Sequence, residues 1–275
     1  MLAVRRTTTV PPATYFVGSA VFHYLGPAFA VLLFARIEPL GVAWLRIASA
    51  AAVYLAWRRP RMFDRNVVAL GAVLGLMNPC FYLAIDRLPL GTVAAIEFLP
   101  VVALAAAGAR TPRNALALVA AAAGVFVLTD VRIAGAPLGF AFAFANAALF
   151  ALYIVLAHRV AQRPGTGGLE GLGAAMLVAT VVVTPIGGAA ALPALGDPVA
   201  LGAGIGVGLT SSVIPYVCDQ LAMARMPRST YALLVSLLPA TATVIGIVVL
   251  GQIPSAVEVG GVALVVAGVA LHRDP

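Results

Sequence analysis

The sequence predicts an all-α membrane protein of ten transmembrane helices, arranged as two inverted five-helix repeats. Hydrophobic residues make up 62% of the 275 residues and charged residues only 10%, whereas soluble domains carry roughly 25% charged residues. Uncharged runs at 66–85, 133–157 and 171–196 reach the ~20 residues that a helix needs to cross a bilayer. Polar and apolar residues do not alternate, which favours helices over barrel strands. Similar motifs also recur in the two halves.

Arg, Pro and Gly residues divide the chain into candidate spans. The last two spans are the hardest to separate, because no charge occurs from residue 229 to residue 257 and that run is too long for one helix. Gly251, Gln252 and Pro254 supply the break. The predicted spans cover residues 14–35, 39–57, 66–85, 89–108, 114–129, 136–157, 170–192, 199–223, 229–250 and 256–271.

The distribution of arginine predicts the orientation, because short cytoplasmic loops collect positive charge. One side of the predicted bundle holds only Arg36, Arg87 and Arg132. We therefore expect a multi-pass protein with both termini in the cytoplasm. The net charge of +7 then reflects topology and contact with anionic lipids, and nucleic-acid binding is excluded. The opposite, cytoplasmic side holds Arg5, Arg6, Arg58, Arg59, Arg61, Arg65, Arg110, Arg113, Arg159, Arg163, Arg225, Arg228 and Arg273.

A repeated motif links the two halves of the chain. GAVLGLMNPCFYLAIDRLP (71–89) and GIGVGLTSSVIPYVCDQLAMARMP (204–227) both begin with G-x-x-x-G, contain a mid-span proline and end at a loop Arg and Pro. Pro100 and Pro239 match in the spans that follow. The third and fourth spans thus correspond to the eighth and ninth, which predicts repeats at 1–132 and 133–275. Because five is odd, the second repeat is inverted, the architecture typical of secondary transporters.

The stretch GLMNPCFYLAIDRLPLGTVAAIEFLP (75–100) resembles the third-to-fourth helix signature of the EamA-type drug/metabolite transporter superfamily, in its threonine/homoserine exporter branch. AWLRIASA, ALFALYIVLAHR and IPYVCDQLAMARMP resemble the second, sixth and eighth helices of that branch. The resemblance implies a ten-helix inner-membrane exporter of amino acids or related metabolites, driven by proton exchange. This chain has Leu238 and Gln252 where the branch usually has acidic residues, so the resemblance does not determine the identity of the substrate.

Glu97 lies about mid-span in AAIEFLP (94–100), where a charged carboxylate costs ~2.5 to 3.5 kcal/mol on insertion scales. It must therefore face the bundle interior or be protonated, and we interpret it as a proton-coupling or substrate-amine site. The alternative is a structural ion pair with Arg46. Arg46, in the second span, could hold a substrate carboxylate bidentately, or it could neutralise Glu97 or Asp219.

Four residues of the eighth span, Gly208, Ser212, Pro215 and Asp219, are spaced i, i+4, i+7 and i+11. This spacing predicts one polar, kinked stripe on an α-helix that could line the site. Asp219 lies nearer the predicted cytoplasmic end, so a role as a gate or a loop anchor competes with substrate binding.

The third and first spans add further candidates. Asn78 and Tyr82 form an i, i+4 pair beside Pro79, which removes one backbone hydrogen bond and frees a carbonyl for a side chain or a ligand. They line the site or join helices. Ser19 and His23 share a face of the first helix, and His23 could relay protons near neutral pH or serve only as a hydrogen-bonded packing residue.

The remaining intramembrane polar residues carry weaker predictions. Asn146 and Tyr153 could line the cavity, and each is as easily explained by packing. Cys80 and Cys218 lie inside spans without metal or disulfide spacing, so we give them no function.

We expect a transporter that works by alternating access, without cofactor or metal. Its partners are a small-molecule substrate, protons and membrane lipids, and it is a monomer or a homodimer. An uncoupled facilitator is the first alternative. An intramembrane enzyme is the second, but His23, His158 and His272 are widely separated and neither G-x-S-x-G nor H-E-x-x-H occurs.

Overall fold

The computed structural model describes residues 12–58, 63–108, 111–132, 136–163, 167–223 and 238–271, and these residues form ten helices and no strand. The eighth helix, α8, has three segments: an α-helix at Pro198–Gly208, a π-helical turn at Leu209–Val213 and an α-helix at Ile214–Met223. The other helices are α1 (Pro12–Leu33), α2 (Pro39–Arg58), α3 (Arg65–Ile85), α4 (Leu90–Gly108), α5 (Pro112–Arg132), α6 (Pro137–Ala161), α7 (Gly167–Leu195), α9 (Leu238–Leu250) and α10 (Ala256–Leu271).

The all-helical prediction is confirmed, and the helices match the predicted spans in order. By length and composition, α1, α2, α3, α6, α7 and α8 can each cross a membrane, while the described parts of α4, α5, α9 and α10 contain shorter apolar stretches. The first nine residues of the predicted ninth span, 229–237, lie outside the described residues. So do several arginines used for the orientation, namely Arg5, Arg6, Arg59, Arg61, Arg110, Arg225, Arg228 and Arg273.

Local sequence explains where several helices begin. Asp64 caps α3 by accepting hydrogen bonds from the backbone N–H groups of Asn66 and Val67, and Asp197 caps α8 in the same way. Ser255 and Glu258 form a reciprocal capping box at the start of α10. The predicted break between the last two spans is confirmed. It contains Gly251, whose φ of 64° favours glycine because it has no Cβ.

Helices α2 and α7 pack tightly along most of their length. The two helices run antiparallel. Gly41 near the start of α2 contacts Ala190 near the end of α7, and Tyr54 near the end of α2 contacts Gly173 near the start of α7. A Cβ on Gly41 would overlap the Ala190 carbonyl, so the two backbones approach as closely as glycine allows. Small residues at such contacts replace the hydrophobic driving force that lipid does not supply.

The two G-x-x-x-G motifs make equivalent contacts. Gly71 of α3 faces α7, where a Cβ would lie 2.5 Å from the Ala175 carbonyl oxygen. Gly208 of α8 faces α2, where a Cβ would overlap Ser49 Oγ and lie 2.8 Å from the Arg46 carbonyl oxygen. The motif identified in the sequence therefore brings α3 against α7 and α8 against α2.

Ion pairs join the loops at both ends of the α2–α7 pair. At one end Arg36, after α1, pairs with Asp197 at 2.9 Å. At the other end Arg163, after α6, pairs with Asp64. Each aspartate is also a helix cap. The backbone hydrogen bonds to its carboxyl group and the neighbouring arginine together hold the pKa of that carboxyl below its usual value.

Candidate functional site

Glu97 lies on α4 in the centre of the bundle and is only 3% exposed. Its Oε1 accepts a hydrogen bond of 2.9 Å from Asn146 Nδ2 of α6, and its Oε2 accepts a long one of 3.5 Å from the Tyr24 hydroxyl of α1. Both donors are neutral. Two helices, α1 and α6, therefore hold the carboxyl group of α4, and no cation among the described residues contacts it.

Arg46 lies on α2, is 4% exposed, and faces α8. Its Nε donates to Ser212 Oγ at 2.8 Å, and its Nη2 donates to the Ser211 carbonyl at 2.8 Å and to the Tyr216 hydroxyl at 3.5 Å. Among the described residues no carboxylate lies within 4.0 Å of this guanidinium. The expected alternative of a direct Glu97–Arg46 ion pair is thus not observed, although the two groups interact through space.

The contact between α2 and α8 depends on a proline. Pro215 has no N–H, so the carbonyl four residues earlier, that of Ser211, loses its α-helical donor. Arg46 Nη2 donates to that carbonyl. The π-helical turn directly precedes Pro215, in keeping with the frequent occurrence of such turns at functional sites. The freed carbonyl expected beside a mid-span proline is therefore occupied by a side chain at this position.

Asp219 lies one turn beyond Tyr216 on α8 and accepts a 2.5 Å hydrogen bond from Ser19 Oγ of α1. The stripe predicted for Gly208, Ser212, Pro215 and Asp219 is interrupted by the π-helical turn, so its helical spacing is not uniform. Gly208 and Ser212 contact α2, and Asp219 contacts α1. The stripe thus serves two different interfaces.

Aromatic side chains fill the space between these polar groups. His23 lies edge-on against Tyr24 at 5.3 Å between ring centroids and 6.3 Å from the ring of Tyr216. Tyr153 of α6 lies between Phe150, at 5.7 Å, and Tyr216, at 5.6 Å. The predicted candidates His23 and Tyr153 therefore both border Tyr216.

Asn78 and Tyr82 are brought close to the site in different ways. Tyr82 lies under the Arg46 guanidinium, 5.6 Å from it to the ring centroid, a cation–π arrangement. Asn78 Nδ2 instead turns back and donates to Leu74 of its own helix at 2.9 Å. The carbonyl that Pro79 frees belongs to Gly75, so Asn78 does not occupy it.

Three buried polar atoms in this region have no hydrogen-bond partner among the described residues: Tyr82 Oη, Ser211 Oγ and Asn146 Oδ1. Buried polar groups are nearly always hydrogen-bonded, and leaving one unpaired costs about 1 to 3 kcal/mol. Their presence beside Arg46 and Glu97 is what a site for a polar ligand requires.

Sequence reasoning missed Tyr24, Tyr216 and Ser211. Each lies within a long apolar run, where aromatic residues and serine are common and carry no distinguishing spacing. One signal was available for Ser211, which is four residues before Pro215 and therefore offers the carbonyl that this proline frees.

The two positions that depart from the branch pattern are accounted for differently. Gln252 Oε1 accepts a 3.1 Å hydrogen bond from the Leu90 N–H and so joins the α9–α10 loop to the first turn of α4. An amide oxygen fulfils this role without a charge. Leu238 is 7% exposed and packs in the apolar core.

A cavity of about 430 Å³ lies at the Arg87 end of the bundle. The α3–α4 loop, the start of α4, α9 and the α9–α10 loop surround it, and Arg87, Thr92 and Gln252 contribute polar groups. Thr92 precedes Glu97 by five residues, a rise of about 8 Å along the helix. The cavity thus lies on the Arg87 side of the buried acid.

Ten mostly apolar helices around buried Arg46, Glu97 and Asp219 define a multi-pass membrane protein with a polar centre. The model of the EamA-like transporter family matches residues 137–273. The threonine/homoserine exporter RhtA of Escherichia coli strain K12 is 30% identical over 251 residues, which cover 88% of this chain and 84% of that protein. The chain belongs to the EamA-like transporter family, in the branch that contains the threonine/homoserine exporters.

Two further comparisons agree. The threonine/homoserine exporter RhtA of Salmonella typhimurium strain LT2 is 29% identical over 268 residues, covering 91% of this chain and 88% of that protein. Another protein of known crystal structure matches with a TM-score of 0.60 and 22% identity, over 95% of this chain and 98% of the other. This last likeness shows the fold alone. The family resemblance noted in the sequence is confirmed.

Proposed function

We propose that the protein is a secondary active transporter that exports amino acids or related small metabolites across the inner membrane in exchange for protons. The names of its relatives as threonine/homoserine exporters support the substrate class. One observation carries the proton coupling: Glu97 is buried, and the donors to its two oxygens, Tyr24 and Asn146, are neutral. An acid without a contacting cation can change its protonation state when access to water changes.

Arg46 is the proposed site for a substrate carboxylate. A guanidinium has five N–H groups, and the hydrogen bonds to Ser212, Ser211 and Tyr216 involve Nε and Nη2. We assign Nη1, which none of these three hydrogen bonds uses, to a carboxylate oxygen of the substrate. The unpaired Tyr82 and Ser211 hydroxyls are near enough to this region to complete the substrate's hydrogen bonds.

Alternating access follows from the proposed division into repeats at 1–132 and 133–275. Helices five positions apart are equivalent in such an arrangement, and α2 packs on α7 as α5 packs on α10. Likewise α3 packs on α6 and α7, while α8 packs on α1 and α2. The ion pairs Asp64–Arg163 and Asp197–Arg36 have equivalent positions before α3 and α8 and after α6 and α1. These correspondences support an inverted repeat whose halves rock about a central site.

The orientation is proposed from the arginines, with both termini in the cytoplasm. The Arg87 end of the bundle then faces outward, and so does the cavity beside it. A cavity there supports an exit path from the site around Glu97. Exchange of a zwitterionic amino acid for one proton moves one charge, worth about 2.3 kcal/mol per 100 mV of membrane potential.

The proposal is tested by comparing the culture medium of overexpressing cells with that of null cells, using untargeted metabolite measurement. We expect one or more amino acids or close derivatives to accumulate in the medium of overexpressing cells. The variant Arg46→Ala should insert into the membrane and abolish this difference. Purified protein in proteoliposomes should then accumulate the same compound when a pH gradient is imposed. Transport that is indifferent to the gradient would instead identify an uncoupled facilitator.

A further inference from the structure

A seam of polar groups lies between α1 and the last segment of α8, and two of its members, Tyr24 and Tyr216, also contact Glu97 and Arg46 of the proposed site. Ser19, His23 and Tyr24 lie on α1, and Tyr216 and Asp219 lie on the facing part of α8. Apart from His23, which is partly exposed, these side chains are buried. Polar residues in such a position are costly in a membrane protein and generally mark ion or proton pathways.

The seam connects two carboxylates, one from each proposed repeat. At one end the Tyr24 hydroxyl donates to Glu97. At the other end Ser19 Oγ donates to Asp219 Oδ1 at 2.5 Å. His23 lies between these ends, against the rings of both Tyr24 and Tyr216. Along α1 the two hydroxyl-bearing residues are five positions apart, a rise of about 8 Å.

We propose that this seam conducts protons between Glu97 and Asp219, and that Asp219 is the group that exchanges the proton with the inner side of the membrane. This inference rests on the proposed function. In each transfer the O–H bond of the Glu97 carboxylic acid breaks and an O–H bond forms on the Asp219 carboxylate. One proton moves inward, the negative charge moves to Glu97, and no electron is transferred.

The rings along the seam pack against one another, with centroids 5.3 and 6.3 Å apart, and in this proposal bridging waters join their polar atoms. The His23 ring can pass a proton because it accepts at one nitrogen while it donates from the other. Asp219 also has a position suited to release. It lies nearer than Glu97 to the end of the bundle that carries Asp64 and Arg163.

Other ionisable groups face the seam and set its electrostatics. Arg46 of α2 acts on His23, and Tyr54 of α2 and Cys218 of α8 interact with Asp219 through space. Tyr153 of α6 borders Tyr216. Of these groups only Arg46 is positively charged at neutral pH.

The alternative for the Ser19–Asp219 hydrogen bond is a clamp between two helices. A clamp and a proton path differ in which partial reaction they affect. Counterflow, in which labelled substrate outside exchanges for unlabelled substrate inside, needs the substrate site and the rocking motion without net proton movement. Transport driven by an imposed pH gradient needs proton exchange in addition. Replacing a residue of the proton path should therefore reduce gradient-driven transport more than it reduces counterflow.

The experiment compares wild type, Asp219→Asn and Ser19→Ala in proteoliposomes, with uptake of labelled threonine in both assays and lumen pH followed by a fluorescent dye. We expect gradient-driven uptake by Asp219→Asn to fall at least about tenfold, as for loss of an acid–base group, while counterflow falls much less. Ser19→Ala should show the same split with a smaller loss. Asp219→Glu should restore part of the gradient response. The matched control is Ser49→Ala, whose hydroxyl donates to carbonyls of its own helix.

A parallel fall of both assays in Asp219→Asn and Ser19→Ala would identify a clamp and overturn the inference. Unchanged gradient-driven uptake in both variants would overturn it as well. Failure of the proposed function gives a different result. In that case the wild-type protein itself shows counterflow without any response to the gradient, or no transport at all, before any variant is compared.

Discussion

The guanidinium of Arg46 donates a 2.8 Å hydrogen bond to the carbonyl oxygen of Ser211, which Pro215 leaves without an α-helical donor. This contact joins α2 of the first proposed repeat to α8 of the second. The same guanidinium donates through Nε to Ser212 Oγ at 2.8 Å. The π-helical turn of α8 thus holds the buried cation of α2.

Replacement of Arg46 by lysine tests this geometry. An ammonium has three donors on one atom and no planar fork, so it cannot reach Ser212 Oγ and the Ser211 carbonyl with the same alignment. We expect Arg46→Lys to insert into the membrane and to lose at least about tenfold in transport, because bidentate contacts are worth more than single ones. Substrate affinity and uptake rate in proteoliposomes measure the loss. Wild-type activity of the lysine variant would show that charge alone suffices.

Glycines at the α2–α7 contact should be far more sensitive than glycines facing lipid. A Cβ on Gly187 would overlap the backbone carbonyl of Leu40, which cannot move independently, whereas a Cβ on Gly202 would meet nothing within 4 Å. We expect Gly187→Ala to destabilise the protein by about 1 to 3 kcal/mol and Gly202→Ala to leave it unchanged or slightly more stable. Thermal unfolding in one detergent compares the two. Equal effects would mean that the backbones are not in contact.

The Asp64 carboxyl should make stability dependent on pH. Its folded pKa lies below the unfolded value because the Val67 N–H donates to it and Arg163 lies beside it. The stabilisation is therefore present above the unfolded pKa of about 3.9 and is lost as the pH falls through the lower, folded value.

Substitutions at Asp64 separate the cap from the charge. Asparagine keeps the cap acceptor and removes only the charge, so Asp64→Asn should cost less than about 1 kcal/mol, and Asp64→Ala about 1 kcal/mol more. The advantage of wild type over Asp64→Asn in thermal unfolding experiments should shrink as the pH falls below the unfolded pKa of about 3.9 and the carboxyl becomes protonated. A difference that stays constant as the pH falls further would contradict the ionised pair.

Labelling of single cysteines tests the orientation. Phe63 and Ile253 are exposed and lie at opposite ends of the bundle. In a background with Cys80→Ala and Cys218→Ala, we expect a membrane-impermeant maleimide to label Ile253→Cys in intact cells and Phe63→Cys only after permeabilisation, because arginine-rich loops stay in the cytoplasm. The reverse pattern would invert the proposed topology.

The fold was predictable because its signals are local. Arg, Pro and Gly delimit the spans, and the glycines at 71 and 208 mark close helix contacts by their spacing. The centre was predictable only in part. Glu97 and Arg46 stand out as charges in apolar runs, but their partners Tyr24, Asn146 and Ser211 are far away in sequence, and nothing local shows which donor faces which acceptor. The π-helical turn shifts the faces of α8, which a uniform helical spacing cannot anticipate.

The central claim is that Glu97 couples substrate export to protons, and replacement of this residue by glutamine tests it most directly. Glutamine keeps the shape of the side chain and an acceptor oxygen for Asn146, but it cannot ionise. The measurement is substrate uptake into proteoliposomes with an imposed pH gradient, beside counterflow without one. The account predicts that Glu97→Gln inserts normally and loses the gradient response by at least about tenfold, while exchange persists. A glutamine variant that responds to the gradient as fully as wild type would contradict it.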